Sequence, residues 1–421
     1  MTDIRFCLML FFTWCLMVSL VYADPFMSYP GTRAKAMGGA FCGIADDASA
    51  VWYNPAGIAG DDSFDFIIEW SKAIVQKDET KGNIFDLSQY GIDPDSLAAE
   101  KNKFFVSFKF SNRNNYSSDR IGFSLYYVSP YTIDWYFPPK TNAGEAFGTF
   151  EEDLNIYGLA AAFSAYEQLF KFGFTLEYVK IDFKPENLKI VSNYNSQTNY
   201  IENLSLIHTS ANGFSYSFGI ISVLMDNKQY AVKLKAGSVY RAESTSSISS
   251  GLSSDEEKDE DEKLSSEEEA YIKMKVNAAE KLLFEKPSSF DYGFSLSKGF
   301  YSLRSVFLVS LQHSRTDWSN SNDTIQNKYK KTSFGTEWQI ASNTRTFFSH
   351  FAFRGGWYES KSTLPKQGWP DVKGTTFGIG ILYDGIWGLD LTYEDRDIFY
   401  EIRDKGTNFS LLSFAVTATW D

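Results

Sequence analysis

The chain has 421 residues, including 37 Phe, 25 Tyr and 10 Trp, and carries a formal net charge of -13. A mean hydropathy of -0.27 excludes a bundle of transmembrane helices, which would be apolar on average, whereas many aromatics at near-neutral hydropathy fit strands that alternate apolar and polar side chains. The acidic balance and the lack of a basic patch exclude nucleic acid as a partner.

Residues 1–23 contain one basic residue, Arg5, then an apolar run from Phe6 to Leu20, and end in Val21-Tyr22-Ala23. This order predicts a secretory signal peptide cleaved after Ala23, because the run is short for a membrane span. Cys7 and Cys15 fall inside it. Cys42 is then the single thiol of the mature chain, and neither an intramolecular disulfide nor a metal site can be built on it.

Residues 24–62 are predicted to form a small N-terminal plug. From Gly31 to Gly60 the sequence reads GTRAKAMGGAFCGIADDASAVWYNPAGIAG. Gly38, Gly39 and Gly43 allow positive φ and close approach, and the alanines between them add little bulk. Asp46 or Asp47 is placed to N-cap a short helix from Ala48 to about Tyr53, which Pro55 ends at Asn54. On composition alone the stretch also reads as a glycine-rich loop with one helical turn.

The runs Gly31-Thr32-Arg33-Ala34, Met37-Gly38-Gly39-Ala40, Ala45-Asp46-Asp47-Ala48-Ser49-Ala50 and Tyr53-Asn54-Pro55-Ala56-Gly57 add a second line of inference. They resemble the N-terminal hatch of the FadL-type long-chain fatty acid transporter superfamily of outer-membrane proteins, which also includes proteins associated with secretion. The resemblance implies that Gly38, Gly39, Asp46, Asp47, Asn54, Pro55 and Ala56 shape or hold the plug. Arg33 and Lys35 are candidates for salt bridges to acidic residues of an inner wall.

From residue 63 to 421 the pattern is that of an all-β transmembrane β-barrel. Phe170, Phe172, Phe174, Leu176 and Tyr178 share one face, opposite Lys171, Gly173, Thr175 and Glu177, which is the period of a strand with one apolar side. Counted this way the chain predicts about 14 antiparallel strands, an even number as in single-chain bacterial barrels. They lie near 63–75, 103–111, 119–134, 150–165, 169–183, 211–223, 229–241, 288–300, 303–316, 331–341, 345–359, 373–384, 386–396 and 408–420. Residues such as Phe105 and Ile67, apolar on the face opposite the apolar one, are expected to line an apolar lumen or to pack against the plug. The final strand ends Trp420-Asp421, one residue past the terminal aromatic usual in such barrels.

Connections alternate in length. Long polar stretches at 76–102, 135–149, 184–210 and 242–287 alternate with short ones such as 166–168 and 225–228. Short periplasmic turns and long external loops give this rhythm, so the plug and both termini are expected in the periplasm. Between Asp255 and Glu269 ten acidic residues face only Lys258 and Lys263. Residues 242–287 are therefore read as an acidic, disordered external loop, with a short helix between Glu267 and Leu283.

Three histidines, His208, His313 and His350, stand beside no nucleophile or zinc-ligand motif, and the chain is not expected to be an enzyme or to hold a cofactor. A plain porin would lack the plug. Two functional readings remain. In one, long-chain fatty acid or a similar hydrophobic ligand passes through a plugged barrel in the lipid of a diderm outer membrane. In the other, the barrel is an accessory protein for secreted proteins or secretion-system partners.

Overall fold

The computed structural model describes residues 29–60, 64–75, 103–113, 119–137, 146–185, 189–194, 198–203, 209–250, 286–319, 326–342, 348–363, 371–400 and 405–420. The predicted signal peptide, the core of the acidic loop with its helix, and His208 lie outside these residues.

The described chain carries β1 (Phe64–Val75), β2 (Lys103–Arg113), β3 (Arg120–Phe137), β4 (Ala146–Ala165), β5 (Phe170–Pro185), β6 (Lys189–Tyr194), β7 (Thr198–Asn203), β8 (Thr209–Asn227), β9 (Val232–Arg241), β10 (Thr245–Ser250), β11 (Ser288–Phe300), β12 (Ser305–Ser319), β13 (Gln326–Ala341), β14 (Phe348–Ser362), β15 (Asp371–Tyr383), β16 (Trp387–Tyr400) and β17 (Lys405–Trp420). Fourteen of these are staves of one ring. Each pairs antiparallel with its neighbours in the order β1, β2, β3, β4, β5, β8, β9, β11 and on through β17. The ring closes where β1 pairs with β17, from Phe64 opposite Trp420 to Val75 opposite Phe409.

Alternation decides which side chains face where. On β5, Phe174, Leu176 and Tyr178 are exposed on the outside, while Gly173, Thr175 and Glu177 are buried inside. Outward rings touch their neighbours across the strands, as in Phe163 with Phe172 at 5.2 Å and Tyr157 with Tyr178 at 6.4 Å between centroids. Such pairs stabilise a sheet, and a continuous exposed apolar surface of this size belongs in lipid rather than water.

The strands outrun the sequence expectation at their polar ends. β12, β14 and β16 continue to Ser319, Ser362 and Tyr400, and β6 and β7 form a hairpin inside the stretch 184–210 that was expected to be loop. Backbone pairing needs no apolar side chain once a strand leaves the membrane, so alternation fades before the ladder does. β10 extends the β9 stave by pairing with the first half of β8.

Residues 29–60 lie within the ring and are almost entirely buried. They contain two short helices, α1 (Thr32–Ala36) and α2 (Ala50–Tyr53), and a 3-10 turn at Pro55–Ile58. Phe41, Ile44, Val51, Trp52 and Ile58 join wall residues Ile67, Phe105, Val128, Ile156 and Ile221 in one hydrophobic core. Phe105 and Ile67 thus pack inward against this segment.

The short helix differs from its expectation. It begins at Ala50, with Ser49 as a cap that makes no side-chain bond. Asp47 instead accepts from the Ser49 backbone N–H at 2.9 Å and from its hydroxyl at 2.5 Å. That bond builds a tight Asx-type turn ahead of the helix, which competes with capping by the same carboxylate.

Candidate functional site

The interior segment is held by side chains reaching from nearly every sector of the wall. On α1, Lys35 donates to Glu69 at 2.5 Å, to Ser71 at 2.6 Å and to Ser413 at 3.2 Å. Thr32 donates to the other oxygen of Glu69 at 3.0 Å. Arg33 points the opposite way and grips Glu337 of β13 with two bonds, at 2.9 and 2.7 Å. Its remaining nitrogen donates to Asp46 at 2.6 Å and reaches Asp47 at 3.4 Å. Glu337 also accepts from Arg354 at 2.7 Å, and Arg354 is paired in turn with Asp390. A planar guanidinium suits such forked contacts, which fix direction as well as charge.

The electrostatics divide the two adjacent acids. Burial opposes ionisation of both carboxyls. At Asp46 the Arg33 guanidinium, aided by Lys235, outweighs it and holds the carboxyl well below the usual range. At Asp47 burial wins and its pKa is raised. Burial, with the Asp291 carboxylate nearby, pushes the Cys42 thiol far up.

The segment's backbone is satisfied by the wall. Gln312 accepts from the N–H groups of Phe41 and Cys42 at 2.9 and 2.8 Å. Thr376 accepts from Gly38 at 3.1 Å and donates to the Ala36 carbonyl at 2.8 Å. Thr392 donates to Thr32 at 2.8 Å, and Arg241 donates to the carbonyls of Trp52 and Tyr53, each at 3.0 Å. Non-regular backbone inside a barrel persists only where its polar groups find such partners.

Asn54, Pro55 and Ala56 sit against the wall between β5 and β9. The Asn54 amide donates to the carbonyls of Cys42 at 3.1 Å and Ile220 at 3.0 Å, with the Ser238 carbonyl at 3.3 Å sharing the contact. Ile220 and Ser238 face each other across the β8–β9 pair, so one side chain spans that seam. Its oxygen accepts from Ala56 at 3.2 Å and opens the 3-10 turn at Pro55.

Close approach is made possible by an inner belt of glycines. Gly173 pairs with Gly219, Gly293 with Gly237 and Gly335 with Gly356. A Cβ added at Gly173, Gly219, Gly237, Gly335 or Gly356 would stand under 3.0 Å from Pro55, Asn54, Cys42, Met37 or Gly38 respectively. Gly38 and Gly39 turn the chain there with φ of 65° and 78°, a conformation that L side chains adopt only under strain.

Below the segment, toward the short turns, the ring encloses a cavity of about 600 Å³. Ile44, Asp46 and Asp47 border it from the segment side, and Lys171, Lys233 and Lys235 project into it from β5 and β9. Ile221 and Val223 of β8, between those strands, and Val306 and Leu308 of β12 give it an apolar strip.

Among the positions singled out in the sequence, Asp46 and Asp47 join Arg33 at the cavity, Gly38 and Gly39 meet the wall near β13 to β15, and Asn54, Pro55 and Ala56 meet β5, β8 and β9. Arg33 and Lys35 both find wall carboxylates. Sequence reasoning missed Glu337, Arg354, Gln312, Arg241, Thr376 and Thr392. Their signal is a polar or charged residue at an inward position of an alternating strand, as Gln312 stands between Leu311 and His313. His313 contacts Thr332 at 3.0 Å and His350 borders the cavity.

A family model described as outer membrane protein transport protein (OMPP1/FadL/TodX) matches residues 25–361. The chain belongs to that family. No curated protein matches it by sequence. Among solved structures it is similar to the CymD monoaromatic hydrocarbon channel, with a TM-score of 0.54 at 10% identity over 93% of this chain and 97% of that one. It is also similar to the Ralstonia pickettii toluene transporter TbuX, with a TM-score of 0.52 at 11% identity over 94% and 99%. At these identities the likeness is one of fold. FadL/TodX membership makes the chain an outer-membrane β-barrel that transports hydrophobic substrates, and its members are channels and transporters rather than enzymes.

Proposed function

We propose that this FadL/TodX family member admits long-chain fatty acids, with residues 24–62 acting as a hatch that shifts inside a ring that stays closed. In this reading the signal peptide is removed, the long connections face outside, and both termini are periplasmic. Gly38, Gly39, Asp46, Asp47, Asn54, Pro55 and Ala56 shape and hold the hatch.

The observation that carries the substrate class is the pairing, in one cavity of about 600 Å³, of an apolar strip with Lys171, Lys233 and Lys235. Burying an acyl chain gains about 25 cal/mol per Å² of apolar surface. The same cavity is lined by Asp46, Asp47, Asp65, Glu337 and Asp390, and Lys235 already acts on Asp46 while Lys233 lies 3.8 Å from Asp226. A fatty acid carboxylate therefore binds there by competing for lysine N–H donors, a contact that a bare aromatic hydrocarbon lacks. Passage requires the Arg33 contacts to yield, because that side chain joins the hatch to the wall at the cavity's edge.

The test is equilibrium binding to the purified barrel in neutral detergent. A fluorescent long-chain fatty acid should bind saturably. Lys171→Gln combined with Lys235→Gln should weaken it about tenfold, a loss of about 1.4 kcal/mol, while leaving the affinity for toluene unchanged. Absence of saturable binding at every acyl length would remove the proposal.

A further inference from the structure

On the rim of short turns, the β8–β9 turn and the β11–β12 turn stand side by side, because β9 pairs with β11. Hydrogen bonds staple them together. The Gly299 N–H donates to the Ala231 carbonyl at 2.8 Å, the Tyr301 hydroxyl to the Lys228 carbonyl at 3.4 Å, and the Lys298 ammonium to the Tyr230 carbonyl. This platform presents Tyr230, Tyr301 and Leu303, whose exposures are 60%, 76% and 62%. Rings with an apolar body and a polar tip suit the boundary between hydrocarbon and water.

The same two turns carry Lys228, Lys298 and Arg304. Lys298 follows Leu296 on the outward side of β11, and Lys228 and Arg304 are exposed at the turn tips. Arg304 holds φ at 44°, a left-handed backbone that glycine adopts without strain, so its side chain is carried at a conformational cost. Carboxylates are fewer. Asp226 is the one acidic residue of the two turns, and it meets Lys233, which faces the cavity, at 3.8 Å. In the turns on either side, the one carboxylate among the described residues is Glu167, between β4 and β5. Lys228 and Arg304 form no ion pair with a described residue, and Lys298 spends one of three N–H donors on a carbonyl. Across the ring, by contrast, the β15–β16 turn carries Asp384 and no cation.

Depth fixes the surroundings of this platform. Leu296 stands in an outward apolar row with Leu234 and Val309, and Lys298 lies two residues, about 7 Å, beyond it. A lysine stem of that reach brings its ammonium to the headgroup layer. We propose that Lys228, Lys298 and Arg304 bind the phosphate of an anionic glycerophospholipid in the inner leaflet. The guanidinium makes forked contacts to phosphate oxygens, and the two ammoniums supply further donors. A zwitterionic phosphatidylethanolamine brings an ammonium of its own, which the three cations repel, so charge separates the two lipids. Tyr230 and Tyr301 flank the glycerol region, where rings of this kind pack. The site rests on the proposed orientation, with short turns in the periplasm, and is independent of the transported ligand.

The experiment is native mass spectrometry of the full barrel in neutral detergent, mixed separately with phosphatidylglycerol and phosphatidylethanolamine of identical acyl chains. Phosphatidylglycerol should remain bound at least tenfold more than phosphatidylethanolamine. Lys228→Gln combined with Arg304→Gln should lower that retention at least fivefold. Lys180→Gln, near the long connections and paired with Asp182 at 2.8 Å, should leave it unchanged. Equal retention of the two lipids, or full retention of phosphatidylglycerol by the double variant, would overturn the site. The two-lipid comparison on unaltered protein decides the matter even if the double variant does not fold.

Discussion

Glu337 holds two guanidiniums at once, Arg33 of the interior segment and Arg354 of the wall. Removing its charge strips one carboxylate partner from each arginine while Arg33 keeps Asp46 and Arg354 keeps Asp390, so the cost is below the roughly 3–5 kcal/mol of a buried charge left with no partner. Cys42 reports the consequence, since it is buried and its thiol is held protonated, and only a thiolate reacts. A maleimide should therefore label native protein very slowly, and Glu337→Gln should label at least tenfold faster while the barrel keeps its heat-resistant mobility on gels. Equal rates would show that the segment is fastened elsewhere. At this scale the sequence revealed half of the contact. Arg33 stands out in a glycine and alanine run, but its partner lies 304 residues away, and nothing local to Glu337 distinguishes it from other acidic residues in strands.

Strands were legible because one side of each is dictated by lipid. Phe174, Leu176 and Tyr178 mark β5 whatever its neighbours do, and all fourteen staves could be counted from such rows. The inner face follows no single rule, since each position is fitted to whichever part of residues 29–60 passes it. Gly173, Gly219 and Gly237 look like weak points of strands until Pro55, Asn54 and Cys42 are seen against them. The added Cβ of Gly173→Ala would meet the Pro55 backbone, which has no flexible end to swing aside. Overpacking of this kind costs about 1–3 kcal/mol, and here the cost falls on docking of the segment rather than on the ring. Planar-bilayer recordings should show a higher leak conductance than wild type together with an unchanged β-sheet circular dichroism spectrum. An unchanged leak would place the seal elsewhere than at this belt.

The ring and its interior contribute unequally to stability at the level of the whole molecule. Backbone pairing runs unbroken around the circuit and makes no use of residues 29–60. Deletion of residues 29–60 should therefore leave an assembled barrel with an open lumen, measured as a large steady conductance. Failure of that variant to assemble would show that the insert helps to build the wall. Lys35 bears on this question, because its ammonium touches Glu69 and Ser71 on the first stave and Ser413 on the last. It straddles the one junction that joins the two ends of the strand order, which forms only after the final stave has been made. The earliest part of the mature chain is thereby positioned to be captured as that junction zips, so the order of biogenesis would itself determine that no finished vessel is sealed without its contents.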